Sequence, residues 1–342
     1  MTRIALDAMG GDHAPNAPIA GALLALGALE ADDRIQLVGR PDVVEPALGA
    51  LLAGEYAGAA HLRERIDVIP ATEVVEMSDK PTAAVRGKPN SSMAIGLRLQ
   101  TTGDSDAFVS AGNTGAQMAA STVFFRLHAD LTRPAIATIL PTARQPVVML
   151  DAGANVDCSA HELVQFARLG DVYVEDILGR HSPGIGLLSV GEEPEKGSVA
   201  VKSAHQALLG AGLNFLGNVE GNDLARGECA AGPIDVVVCD GFVGNVLLKF
   251  YETIAPYLVG IAARASGKDP REVFGSLKEM DYANYGGAPL LGVRGVSIIS
   301  HGRSSAKALK NAILVAKRAV ATDMNAHIGR RLADGAPGAG AA

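Results

Sequence analysis

The feature that most constrains this chain is a rhythm: short apolar runs rich in Val, Ile and Leu alternate with longer segments whose apolar residues recur at helical spacing. Apolar runs of this kind suit parallel strands buried on both faces by crossover helices. Strands are expected at Arg3–Asp7, Arg34–Val38, Ile66–Ile69, Ala107–Ser110, Ile136–Leu140, Val147–Asp151, Gly186–Ser189, Asn214–Leu216, Asp235–Cys239 and Val296–Ile299. Helices are expected over Pro15–Glu30, Pro41–Leu52, Ser91–Gln100, Thr114–Arg126, Ala160–Leu178, Gly197–Leu209, Gly244–Ala263 and Ser304–Ala333. The fold class is therefore α/β. Most of the strands run into Gly, Asp or Asn, which suit tight turns and helix N-caps. The carboxyl-end loops, where an open α/β sheet binds its ligand, should thus present backbone N–H groups.

With 342 residues, 48% apolar and 20% charged, the chain has material for a large core, and 40 glycines with modest charge argue against disorder. No linker or shift of composition interrupts residues 1–333, which read as one continuous domain; residues 334–342, mostly Gly, Ala and Pro, read as a flexible tail. A net charge of −7 argues against a nucleic-acid partner, which would call for a basic domain. Cys158, Cys229 and Cys239 show neither zinc spacing nor a C-x-x-C motif and read as small core fillers in a reducing compartment. Residues Met1–Asp12 meet acidic and Gly residues too early for a signal peptide. The apolar stretch Ile19–Leu29 is shorter than the ~20 residues of a membrane span, so a cytoplasmic chain is expected.

Four turns after strands carry the candidate chemistry. The first is Asp7-Ala8-Met9-Gly10-Gly11-Asp12-His13-Ala14-Pro15, where the glycine pair lets backbone approach an anion and Pro15 suits a helix start. It lacks the G-x-G-x-x-G of a dinucleotide site, and Gly191–Ser198 has the wrong Lys/Gly order for a P-loop. The second and third are Ser110-Ala111-Gly112-Asn113-Thr114-Gly115 and Asp240-Gly241-Phe242-Val243-Gly244-Asn245, each placing small residues and an amide side chain at a helix N-terminus. Ser300-His301-Gly302-Arg303-Ser304-Ser305 forms a further turn of this type. Capping explains any one of them; several together favour a phosphate-sized ligand, with Lys249, His301 and Arg303 as the cations available if their strands are neighbours. Asp151-Ala152-Gly153-Ala154-Asn155-Val156-Asp157 reads as capping, with a metal site as the alternative. No G-x-S-x-G motif occurs and Cys158 has no activating partner in sequence, so a covalent enzyme intermediate is not indicated.

Two surface features remain. Arg303, Lys307, Lys310, Lys317 and Arg318 fall on one side of the last helix, as a solvated face or as a stripe that docks an acidic partner. Val246, Leu247, Phe250, Ile254, Tyr257, Leu258 and Ile261 recur at helical spacing, as core packing or as a subunit contact.

Taken in order, Asp7–Asp12, Asn90-Ser91-Ser92-Met93, Ser110–Ala116, Leu150–Asp157, Gly217-Asn218-Val219-Glu220, Val238–Val246, Tyr285–Gly292 and Ser300-His301-Gly302 resemble the bacterial acyl-carrier-protein:phosphate acyltransferases of phospholipid synthesis. These collinear matches span nearly the whole chain. The resemblance implies a three-layer α/β/α fold with a mostly parallel sheet, akin to phosphotransacetylases and to isocitrate and isopropylmalate dehydrogenases. It implies a homodimer with a helical excursion at residues 246–284. It also implies reversible transfer of a long-chain acyl group from acyl carrier protein to inorganic phosphate, giving acyl phosphate for a membrane glycerol-3-phosphate acyltransferase. Peripheral membrane association of the soluble enzyme belongs to the same expectation.

On this reading Gly10, Gly11, Gly112, Thr114, Gly115, Gly241 and Gly244 form anion-binding turns, and Lys249 and Arg303 neutralise phosphate. His301 protonates the departing sulfur, Asn113 and Asn245 orient the reacting oxygens, and Asp12 and Asp240 orient these groups. Lys307, Lys310 and Lys317 are the carrier-docking candidates, and neither a metal nor an organic cofactor is called for. The alternatives are a short-chain acyl-coenzyme A phosphotransacetylase, a decarboxylating dehydrogenase on the related fold, and a non-catalytic scaffold.

Overall fold

The structure is a computed structural model that describes residues 1–267, 269 and 286–334. Residues 270–284 of the expected excursion and residues 335–342 of the expected tail lie outside the described residues, as does Tyr285.

In chain order the strands are β1 (Arg3–Asp7), β2 (Arg34–Gly39), β3 (Ile66–Pro70), β4 (Ala107–Ser110), β5 (Ala135–Ile136), β6 (Thr138–Leu140), β7 (Val147–Leu150), β8 (Ile185–Leu188), β9 (Phe215–Val219), β10 (Glu228–Cys229), β11 (Gly232–Pro233), β12 (Val236–Val238), β13 (Ala288–Leu291) and β14 (Ser297–Ile299). The helices are α1 (Asn16–Leu26), α2 (Pro41–Ala53), α3 (Pro81–Gly87), α4 (Ser92–Thr101), α5 (Thr114–Phe125), α6 (Ala160–Tyr173), α7 (Val199–Leu209), α8 (Gly221–Arg226), α9 (Gly241–Ser266), α10 (Ala306–Ala321) and α11 (Met324–Asp334).

The chain forms two compact units, Met1–His128 with Tyr285–Asn325 and Ala129–Asn284 with Ala326–Ala342. Each is assembled from sequence-distant segments, so no linear break in composition marks either one.

In the first unit, neighbouring strands run β3-β2-β1-β4-β14-β13. The pairs β2–β3, β1–β2, β1–β4 and β4–β14 are parallel and β13–β14 is antiparallel. Ile4, Ala5 and Leu6 of β1 are fully buried, as expected of a central strand covered on both faces. Helix α1 packs on α2 and α10, and α4 packs on α5. After β3 the chain returns to the far side of β1 to form β4, which makes the β1/β4 junction a topological switch point. At such a junction the connections diverge to opposite faces and leave a crevice at the strands' carboxyl ends.

In the second unit the order is β6-β7-β12-β8-β9, parallel except for β6–β7. Helices α6 and α7 pack together, and α9 packs on β7.

The expected helix Ser304–Ala333 is broken between α10 and α11, where Asp323 turns to a φ of 53°. The expected helix Ala160–Leu178 ends at Tyr173 and passes into a wider π-type turn, Val174–Leu178. The expected strand Ile136–Leu140 is two short strands, β5 and β6.

Candidate active site

In the first unit, β1, β4 and β14 are neighbours, so their carboxyl-end turns assemble on one rim. Asp12 N–H donates to the Gly302 carbonyl at 2.7 Å, and Ser300 N–H donates to the Ser110 carbonyl at 2.8 Å, tying the three turns together. The approach is close: a Cβ at Gly10 would stand 2.7 Å from Asp7 Oδ2 and 2.8 Å from Gly112 N. Gly11, at φ +98°, occupies the region that favours glycine.

Helix α5 starts on this rim. Asn113 caps it, its Oδ1 accepting from Ala116 N at 3.0 Å, while its Nδ2 reaches the carbonyls of Glu76, Met77 and Asp79. Both polar ends of Asn113 are thus engaged by protein, and it anchors the 76–79 loop rather than orienting reacting oxygens. Gly112 N–H is also spent, donating to Ser110 Oγ at 3.0 Å. The first two helical amides, Thr114 and Gly115, have no intrahelical acceptor, and none of the described side chains takes them. These amides remain available as hydrogen-bond donors at the helix N-terminus, where the dipole favours negative charge.

Arg303 and His301 flank the same rim and are exposed. Arg303 Nε lies 3.8 Å from Asp12 Oδ2, a loose surface pair. His301 Nδ1 accepts the Arg303 backbone N–H at 3.2 Å, so the neutral ring carries its hydrogen on Nε2. In that tautomer the Nε2–H is the ring's hydrogen-bond donor.

Beneath the rim lies Asp7, which the motif contains but which sequence reasoning assigned no role. It is buried, and burial pushes its carboxyl above the ordinary carboxylate range against hydrogen bonds from Ser92, Ser110 and the Met9 and Gly10 amides. Its signal in the sequence is a carboxylate closing the apolar run of residues 4–6.

The second unit repeats the device at the carboxyl ends of β7 and β12. Asp151 is fully buried and accepts from the amides of Ile136, Gly153, Ala154 and Asn155 and from Asn155 Nδ2. Its oxygens are thereby saturated, which favours the capping reading over a metal ligand. Burial again raises its carboxyl. Asp240 caps α9 through Val243 N at 2.8 Å. Gly241 N–H donates to the Asn155 carbonyl at 2.7 Å and Gly244 N–H to that of Asp240 at 3.0 Å. The glycines of this turn therefore offer no free N–H, contrary to their expected role as anion donors. They serve packing instead, because a Cβ at Gly244 would overlap the Asp151 carbonyl. Asn245, exposed beside Gly153, keeps its side-chain amide unengaged among the described residues. Lys249 pairs with Glu252 at 2.8 Å. Cys158, in the segment between β7 and α6, is pushed up to about 12 by burial, and burial drives the Cys239 thiol well above its ordinary value. Neither is a thiolate nucleophile at neutral pH.

Two surface expectations are adjusted. Lys317 leaves the basic stripe: its Nζ is held by the buried Asp33 and by Thr2 Oγ1, each at 2.8 Å, so it braces the fold and is not a docking group. Lys307 and Arg303 remain exposed and Lys310 half-buried. Helix α9, at 26 residues with a mean hydropathy of 1.4 over its most apolar window, is long and apolar enough to cross a membrane by length and composition, which the shorter stretch Ile19–Leu29 is not. Phe242, Val246, Phe250, Tyr257, Leu258 and Ile261 along it are exposed.

The sequence profile of the family described as "Fatty acid synthesis protein" matches residues 2–327. The chain belongs to this family. Its relatives include the phosphate acyltransferase of Heliobacterium modesticaldum, 46% identical over 328 residues that cover 93% of this chain and 94% of that protein. The phosphate acyltransferase of Desulforamulus reducens is 47% identical over 329 residues, 94% of each chain. Membership of the fatty acid synthesis protein family therefore places the chain among enzymes, phosphate acyltransferases by the names of those relatives. Among solved structures, a phosphotransacetylase from Streptococcus pyogenes superposes with a TM-score of 0.61 at 17% identity, covering 94% of each chain. The EutD phosphotransacetylase from Staphylococcus aureus gives 0.59 at 15% identity, with the same coverage. At that identity the likeness establishes the α/β fold alone.

Proposed function

We propose that this family member transfers a long-chain acyl group reversibly from the thioester of acyl carrier protein to inorganic phosphate. The observation that carries the reading is the pair of unengaged amides, Thr114 and Gly115, opening α5 beside the β1/β4 switch point with Arg303 and His301 on the same rim. Helix N-terminal amides with a flanking guanidinium suit a tetrahedral dianion.

In the reaction a phosphate oxygen attacks the thioester carbonyl carbon and a tetrahedral oxyanion forms. Its collapse breaks the C–S bond, and the thiolate leaves and takes up a proton. Arg303 offsets phosphate charge, Asp12 orients Arg303, and the His301 Nε2–H donates to the oxyanion or the departing sulfur. Taken by itself, the second unit offers Asn245 as an open side-chain amide and Lys249 as a cation paired with Glu252, on the helix that Asp240 caps. With Cys158 and Cys239 held as thiols, direct attack by phosphate is favoured over an acyl-enzyme.

Lys307 and Lys310 make the docking stripe for the acidic carrier. The exposed apolar face of α9 is assigned to a homodimer contact, with peripheral membrane association as its competing use. The enzyme is placed in the cytoplasm, feeding a membrane glycerol-3-phosphate acyltransferase.

The purified protein with long-chain acyl carrier protein should release carrier thiol and form a hydroxylamine-trappable product only when phosphate is added. Turnover with acetyl-coenzyme A and none with the carrier thioester would establish the short-chain alternative instead.

A further inference from the structure

We infer that Asp7 is a positioning residue that clasps the two phosphate-binding turns of the first unit through Ser110. The inference rests on the reading of this rim as the phosphate site and goes beyond it by naming what holds the rim in shape.

The geometry is a short relay. Asp7 ends β1, and its Oδ1 accepts the Met9 N–H of its own turn at 3.0 Å. Its Oδ2 accepts the Ser110 Oγ–H at 2.8 Å, across to the end of β4. Ser110 Oγ in turn accepts the Gly112 N–H at 3.0 Å, inside the turn that delivers α5. One carboxylate therefore links the Met9–Gly11 backbone to the Gly112–Gly115 backbone across the switch point. Among the described residues no Lys or Arg is bonded to the Asp7 carboxyl, and the donors that hold it are hydroxyls and amides. Burying a carboxylate with such partners alone is costly, and the hydrogen bonds it organises are the compensation.

The contact has little slack. Ser110 is fully buried, and the Gly10 Cα is packed so tightly against Asp7 Oδ2 and Gly112 N that an added methyl would collide with both. The Thr114 and Gly115 amides follow directly on this turn, so their direction is set by where the clasp holds Gly112. Loosening it should weaken phosphate binding while leaving the acyl donor's own contacts in place.

The test uses the full-length protein with Asp7→Asn, Ser110→Ala and the double variant. Each is measured for KM of phosphate, KM of the acyl donor, kcat, phosphate Kd by calorimetry and Tm. Ser110→Ala is a small deletion that keeps the protein foldable if Asp7→Asn is not tolerated. Each single variant should raise the KM and Kd of phosphate roughly tenfold with the donor KM within about twofold of the parent. The double variant should be no worse than the poorer single, because the two side chains act as one unit. Lowered Tm with unchanged phosphate KM and Kd would overturn the inference and leave Asp7 a purely structural residue. If the parent protein shows no phosphate-dependent turnover, the functional reading fails, and the calorimetric Kd series alone still decides the clasp.

Discussion

Thr114→Pro should raise the KM for phosphate by about tenfold to a hundredfold while the protein stays folded. Thr114 is the first residue of α5, and its N–H has no intrahelical acceptor, so proline deletes a donor that the helix does not use. The preceding Asn113, at φ −64° and ψ 108°, is already in the extended conformation that proline demands of its neighbour. The side chain of Thr114 is exposed, so little packing is lost. What remains is the loss of one amide-to-dianion hydrogen bond, worth about 1.5–3 kcal/mol for a charged acceptor. Thr114→Ala keeps the N–H and should leave the phosphate KM near the parent value. Steady-state kinetics with varied phosphate check both, and equal KM values for Pro, Ala and Thr at this position would remove the amide from the site.

Gly244→Ala should be the most damaging substitution in the second unit. A Cβ there would overlap the backbone carbonyl of Asp151. That backbone cannot retreat easily, because the Asp151 side chain is clamped by the amides of Ile136, Gly153, Ala154 and Asn155. Nor can α9 slide, since Gly241 N–H is bonded to the Asn155 carbonyl and Asp240 caps the helix. A forced methyl of this kind costs about 3 kcal/mol, which for a unit of this size lowers Tm by roughly 6 to 12 °C. Gly260, further along the same helix, has nothing within 4 Å of an added Cβ. Gly260→Ala should therefore act in the opposite direction, stabilising by about 1 kcal/mol through helix propensity. Thermal denaturation of the pair measures both, and similar Tm values would mean that the α9 start is not packed on the Asp151 turn.

Strand positions were legible because the core strands are apolar on both faces. Arg3–Asp7 and Ala107–Ser110 begin and end where expected, and most other strands shift by a residue or two. Strand β13 was not; Pro289 within it is accommodated in a pair with antiparallel β14. The insertion of β12 between β7 and β8 is a pairing between distant segments that no local pattern encodes.

At the site, the strand-end rule brought Gly10, Gly11, Asp12, Thr114, Gly115, His301 and Arg303 to one rim. It could not say which amides are free: Gly112 is spent on Ser110 and Gly241 on Asn155, bonds set by the folded turn. Asn113 showed its capping role in the sequence but not the three carbonyls that occupy its Nδ2. Lys317 looked like part of a basic stripe because helical spacing records direction and not partners, and its partner Asp33 lies 284 positions away.

Phosphate on the α5 N-terminus is tested most directly by titrating inorganic phosphate into isotopically labelled protein and following the backbone amide resonances. The largest saturable shifts should fall on Thr114 and Gly115, with smaller ones on Gly11 and the Gly302–Arg303 turn. Saturable shifts confined to other residues, with Thr114 and Gly115 unmoved, would contradict it.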